Sequence, residues 1–166
     1  IWTIKPLSGY TLCFESRVVV DTDGLVYVVI VNRMDWTSSP RDEYAISWCQ
    51  IDTDGGLSSQ RVLHELGWSF YTTSVAACYR DPGQLEIAYT YNKEIYQTTM
   101  DLDSDEFTTQ GLPRPDKQWP QTGLIEVMRW RNSTHVVSVY GSSYWEQLGI
   151  VSINDTDGIP VYERLM

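Results

Sequence analysis

This sequence holds little that could ligate a metal or attack a substrate. Its three cysteines, Cys13, Cys49 and Cys78, include no Cys-x-x-Cys pair. That removes a zinc knuckle and a complete disulfide framework, and an odd set leaves at most one bridge and one free thiol. The two histidines, His64 and His135, stand far apart and outside any ligand spacing, so structural roles are expected of both. No Gly-x-Ser-x-Gly elbow is present, and "DTDGG" at Asp52 lacks the lysine and the helix of a phosphate-cradling loop. No run approaches the roughly 18 apolar residues of a membrane span, so the chain reads as soluble, with no membrane insertion. Basic residues are scarce: 12 Lys and Arg face 22 Asp and Glu, for a formal charge of -10. Nucleic acid and anionic membranes would be repelled by that balance. The chain opens at Ile1 without a methionine or a basic-then-apolar leader, and the expectation is a processed product or a piece of something longer.

Helical periodicity is also nearly missing. Ser58 to Leu66, "SSQRVLHEL", reads as a short helix closed by Gly67 or, equally, as an alternating strand. Elsewhere the period is two. "LEIAYTY" puts Leu85, Ile87, Tyr89 and Tyr91 on one face and Glu86, Ala88 and Thr90 on the other, and "YAISWCQI" and "IYQTTMDL" alternate likewise. "RVVV", "LVYVVIV" and "HVVSVY" are continuous and β-branched, the composition of strands covered on both faces. At 166 residues the chain can bury one sizeable core. The fold class expected is all-β.

Three stretches resemble one another: "VVVDTDGLVYVVIVN", "ACYRDPGQLEIAYTYN" and "QWPQTGLIEVMRWRN". Each runs through a glycine turn (Gly24, Gly83, Gly123) into an apolar strand ending at Asn32, Asn92 or Asn132. Another strand, an acidic turn and a last strand follow each, giving candidate repeats at 17–66, 74–112 and 118–165. Four strands per unit at this spacing resembles a β-propeller blade. The resemblance implies four-stranded antiparallel repeats, in a single domain or a propeller fragment that gains further blades or self-assembles. The Gly-His and Trp-Asp pair of the WD repeat, the kelch signature and the sialidase Asp-box are absent, so no specific family follows. A β-sandwich is the alternative architecture.

Asp-Thr-Asp-Gly occurs at Asp21, Asp52 and Asp155. The tetrapeptide suits a tight hairpin, because Asp can bond its own downstream backbone and Gly accepts a positive φ. The competing reading is calcium. Counting Asp21 as position 1, an EF-hand would need an oxygen ligand where Leu25 stands and a glutamate where Asn32 stands, so the turn is expected. "DLDSDE" is denser in carboxylates, and Asp101, Asp103 and Asp105 are the candidate cation ligands, with calcium the one cofactor to consider.

Seven Trp and eleven Tyr against three Phe favour rings with a polar handle. Trp36, Trp68, Trp119, Trp130 and Trp145 lie among polar residues at strand ends and in loops, with Arg129 and Arg131 flanking Trp130 as an anion-accepting spot. Rings beside carboxamides and hydroxyls are the materials of a sugar site or a protein-binding rim. The expected function is therefore a non-catalytic recognition module for a glycan or a protein. One alternative is a glycosidase-like hydrolase using a carboxylate pair, with Glu86 and Glu126 as candidates. Another is a structural repeat segment of a larger surface protein. The sequons at Asn132 and Asn154 suit a secreted, extracellular glycoprotein.

Overall fold

The computed structural model describes residues 10–34, 44–56, 58, 60–67, 74–91, 94–113, 125–142 and 145–164. Among them the chain is all-β, with no helix, and forms three four-stranded antiparallel sheets. The first holds β1 (Tyr10–Val20), β2 (Val26–Met34), β3 (Tyr44–Ile51) and β4 (Arg61–Gly67). The second holds β5 (Val75–Arg80), β6 (Gln84–Tyr91), β7 (Glu94–Asp101) and β8 (Phe107–Gly111). In the third are β9 (Ile125–Trp130), β10 (Ser133–Ser142), β11 (Trp145–Asn154) and β12 (Pro160–Arg164). Each is a simple meander in chain order, consistent with blade-like units. Within the ambiguous "SSQRVLHEL", Arg61 to Leu66 resolve as strand, because β4 pairs along β3 and buries Leu63 and Leu66.

Sequence alignment displaces the third unit by one strand. "IEVMRW" looks like β2 and β6, yet as β9 it takes the place that β1 and β5 hold in their sheets. The β9–β10 hairpin closes at Arg131 and Asn132, and Arg131 adopts φ 55° where the other sheets use Gly24 and Gly83. A non-glycine at positive φ carries no sequence signal, so the glycine count misses this turn.

The sheets pack through their first strands: β5 lies against β1 and β2 on one side, and β9 lies against β5 and β6 on the other. The first interface is apolar, joining Val29, Val31, Ile46 and Trp48 to Leu85, Ile87, Tyr89 and Met100. The second joins Ala76, Ala88 and Ile95 to Ile125, Val127, Val136 and Val151. Being covered on both faces, β6 is buried from Leu85 through Thr90, whereas β9 alternates between buried and exposed residues. Each fully buried Val, Leu or Ile contributes about 1.5–3 kcal/mol. His64 stays inside this framework, and His135 lies half-buried on the outward face of β10, opposite Met128 and beside Trp130. His64 Nδ1 lies 2.6 Å from the Tyr89 hydroxyl with Tyr91 and Tyr96 edge-on, and burial lowers its pKa. His135 Nδ1 meets Ser152 Oγ at 2.9 Å.

The repeated tetrapeptide is a turn. Asp21 Oδ1 accepts the amides of Asp23 and Leu25, both at 2.9 Å, and Gly24 sits at φ 85°. Asp52 Oδ1 accepts Asp54 N at 3.1 Å and also Gly56 N, with Gly55 at φ 79°. A Cβ on Gly56 would meet the Asp52 carboxylate, which would have to give up its place in the turn. In the third copy the work moves back one residue: Asn154 Oδ1 accepts Thr156 N at 2.8 Å and Asn154 O accepts Gly158 N at 2.8 Å. Asp155 is thereby released from its turn. In a meander the first and third hairpins share one end, and the ion pairs Arg61 with Asp105 and Arg80 with Asp155 join those ends between sheets. The acidic turns therefore gather at one end of the array.

If the first Asp organises each turn, Asp21→Ala lowers stability by about 1–2 kcal/mol through its lost hydrogen bonds. Asp23→Ala, two residues on, stays within about 0.5 kcal/mol. Urea unfolding of both variants checks this, and equal losses would refute it.

Candidate functional site

Antiparallel register gathers a polar row on the face of the second sheet that meets the third. Glu86 stands opposite Thr99 and Ala88 opposite Gln97, while Gln97 pairs with Gln110 on β8. Glu86 is fully buried. Its Oε1 accepts Arg80 Nη1 at 2.9 Å, and its Oε2 accepts Thr99 Oγ1 at 3.0 Å together with Gln97 Nε2. Gln97 Oε1 in turn accepts Gln110 Nε2 at 2.9 Å. A carboxylate removed from water costs several kcal/mol unless its oxygens are satisfied, and here three donors satisfy them.

Arg80 carries the row across to the third sheet, its Nη2 lying 3.3 Å from Asp155 Oδ1. Asp155, free of its turn, takes a bidentate pair from Arg129, Nη1 to Oδ1 at 2.8 Å and Nη2 to Oδ2 at 2.5 Å. Arg129 Nη1 also donates to Thr134 Oγ1 at 2.8 Å. The Arg129 bond holds the Asp155 carboxyl below its usual range, with Arg80 adding to the effect. Burial pushes the neighbouring Cys78 thiol up to about 12, and Glu86 adds to that, so this thiol is protonated and poorly nucleophilic at neutral pH. A cleft of about 110 Å³ between Gln97, Gln110 and Asp155 has room for a few waters. The row is a polar clamp between two sheets.

A larger groove of about 430 Å³ opens beside the β7–β8 turn, lined by Gln84, Thr99, Asp101, Ser104, Asp105, Glu106, Phe107 and Thr108. The turn shapes it. Asp101 Oδ1 accepts the amides of Asp103 at 3.0 Å and Ser104 at 2.8 Å and the Ser104 hydroxyl at 3.0 Å, bonds that lower its pKa. Asp105 takes the left-handed place of glycine at φ 60° and pairs with Arg61. Beyond it Phe107 stands 47% exposed in the groove.

The residues expected from sequence fall out unevenly. Trp36, Trp68 and Trp119 lie outside the described residues, as does the side chain of Trp145, whose backbone opens β11. Trp130 is exposed, with the Arg131 guanidinium 4.7 Å from its ring centre. Arg129 points to the opposite face and belongs to the clamp, so the expected basic spot is divided by strand alternation. Asp101, Asp103 and Asp105 occupy one turn, but Asp101 is turned onto its own backbone and Asp105 onto Arg61. Among the described residues no group of three or more His, Cys, Asp or Glu is arranged to hold a metal. Glu86 and Glu126 are not equivalent: Glu86 lies sealed on β6, and Glu126 is exposed on β9, 3.9 Å from Arg17. Phe107 was missed, because sequence offers only one ring after a run of acids. Cys49 and Cys78 are free thiols, and the side chain of Cys13 is outside the described set. No family model and no curated protein matches the chain.

Removing one member of a buried ion pair costs about 3–5 kcal/mol, and Glu86→Ala should show a loss of that size in denaturant unfolding, with Glu86→Gln losing less. The clamp also sets an acid limb. Asp155 titrates lower when folded than unfolded, so its contribution is complete above the unfolded value of about 3.9 and fades as pH falls through the folded pKa. Asp155→Asn is expected to be less stable at neutral pH and to lose less than wild type on acidification. An unchanged acid slope in that variant would refute the assignment.

Proposed function

We propose that the chain is a non-catalytic recognition module of propeller-type blades that binds a glycan in the groove beside the β7–β8 turn. The observation that carries this reading is Phe107, an exposed ring in a groove whose other lining groups are hydroxyls, carboxylates and an amide. A ring can stack on the apolar face of a pyranose while Gln84, Glu106 and Thr108 take its hydroxyls. The groove's size falls within the usual range for small-ligand sites, about 300–1,000 Å³. Because the acidic turns share this end, a neutral or amino sugar suits it and an anionic one is repelled.

The blade reading is supported by the meander order and by the way β1, β5 and β9 come together. Arg17 on β1 lies 2.7 Å from Glu15 and 3.9 Å from Glu126 on β9, so the first strands of all three sheets approach one line. The hydrolase alternative is weakened by the state of Glu86, whose oxygens are occupied and buried. A secreted setting accompanies the proposal: Asn132 and Asn154 are both exposed at one end of the third sheet.

A screen against neutral, amino and acidic glycans, with calcium and with chelator, tests the reading. Saturable binding to a neutral or amino sugar is expected, unaffected by chelation. Phe107→Ala should weaken it about tenfold, the equivalent of roughly 1.4 kcal/mol. Preference for acidic glycans, or full binding by Phe107→Ala, would overturn the groove, and a blank screen the glycan.

A further inference from the structure

Both contacts between sheets follow one rule: a sheet offers the face of its first and second strands, and the next lays its own first strand there. β1 and β2 receive β5, and β5 and β6 receive β9. Two surfaces would continue that rule, and neither is packed against another sheet here, although Glu126 at the edge of the first lies 3.9 Å from Arg17 of β1. One is the outward face of β9 and β10, where Met128 and Trp130 are 50% and 61% exposed and half-buried Val137 stands opposite Glu126. The other belongs to β1, the one first strand not laid against another sheet among those described. Its Val18 and Val20 are 63% and 56% exposed, while Val19 between them points into the core.

We propose that these surfaces are the two halves of one interface, and that β1 of a second copy of this chain docks on the open face of the third sheet. The match is chemical as well as positional. Ser16, Val18 and Val20 make an uncharged ridge on β1 with two β-branched members, which suits Met128 and Val137, set between Glu126 and His135 on the facing strands. On the first sheet the need for cover is local to that strand, since Ala45, Ser47 and Cys49 further along the same sheet are already buried. The contact is heterologous, joining unlike surfaces, so two copies related by a twofold axis make it twice and close on themselves. Two chains of three sheets then place six around one line, within the usual four to eight blades of a propeller. This inference goes beyond the glycan reading and does not depend on it, because the groove lies on the second sheet.

The test is molar mass by light scattering across a dilution series of the whole chain and two charge variants, Val18→Asp and Met128→Asp. Wild type is expected to reach dimer mass, and each variant alone to remain a monomer with an unchanged circular dichroism spectrum. An equimolar mixture of the two retains one intact contact, the open face of the first variant against β1 of the second. It should therefore recover dimers, weaker than wild type. Should either aspartate prevent folding, Val18→Thr and Met128→Gln carry the same comparison, with association weakened about tenfold. Because both partners are acidic, added salt should strengthen the dimer. A wild type that stays monomeric, a Val18→Asp chain that dimerises like wild type, or a mixture that stays monomeric would each overturn the proposal. The second result would point to a face-to-face contact between two third sheets.

Discussion

Val75 and Ala76 are neighbours on β5, both fully buried, and their side chains enter different cores. Successive strand residues point to opposite faces, so one peptide step separates the contact with the first sheet from the contact with the third. The rest of the array depends on this. A first strand that is sandwiched must be slim, and β5 begins Val-Ala-Ala-Cys. Its backbone is fixed from the side as well: Glu15 on β1 accepts Val75 N at 3.2 Å and Ser74 Oγ at 3.3 Å. A large residue at Ala76 would push β9 away and open the second core.

The two interfaces solve register differently. Between the first and second sheets, rings and branched aliphatics interlock and the shapes define the fit. Between the second and third, small residues such as Ala76 and Ala88 leave less shape to read, and a chain of charges stands beside them. Buried ion pairs give little net stability, but a misplaced register would strand Glu86 without donors. That penalty is a reason for the clamp to sit where the apolar fit is least specific. It exists because Asn154 caps its turn and so frees Asp155, a shift of one residue within a repeated motif.

Much of this was legible beforehand, and what was not has physical reasons. Alternation revealed β3, β6 and β7, because period two survives wherever faces differ in chemistry. Asp-Thr-Asp-Gly reads correctly as a turn, since the bonds it makes are local. The third sheet's strand order was hidden by Arg131, whose positive φ is imposed by the hairpin rather than announced by the residue. Arg129 and Trp130 look like one basic aromatic spot until the pleat sends them apart. Glu86 reads only as one of a candidate carboxylate pair because its donors come from β5 and β7, and its clamp from another sheet. Partners brought from a distance leave no local pattern.

Charge is distributed along the array as unevenly as shape is. Asp21, Asp52, Asp101 and Asp155 spend their carboxylates on backbone amides or arginines, yet Asp23, Asp54 and Asp103 follow two residues behind the first three and are exposed, as is Asp157, which accepts Ile159 N through one oxygen. The turn chemistry thus leaves a second, solvated acid at every copy, and the meander collects these at one end. A field of one sign at one end repels like ends that are brought side by side, and it does so over roughly a Debye length, about 8–10 Å in physiological salt. Apolar faces on the flanks are not opposed in the same way, because Val18, Val20, Met128 and Val137 carry no charge. Repulsion therefore acts at the rim and attraction along the sheets. Side-by-side addition of a sheet must overcome the first to gain the second, and salt, which screens only the charges, shifts that balance.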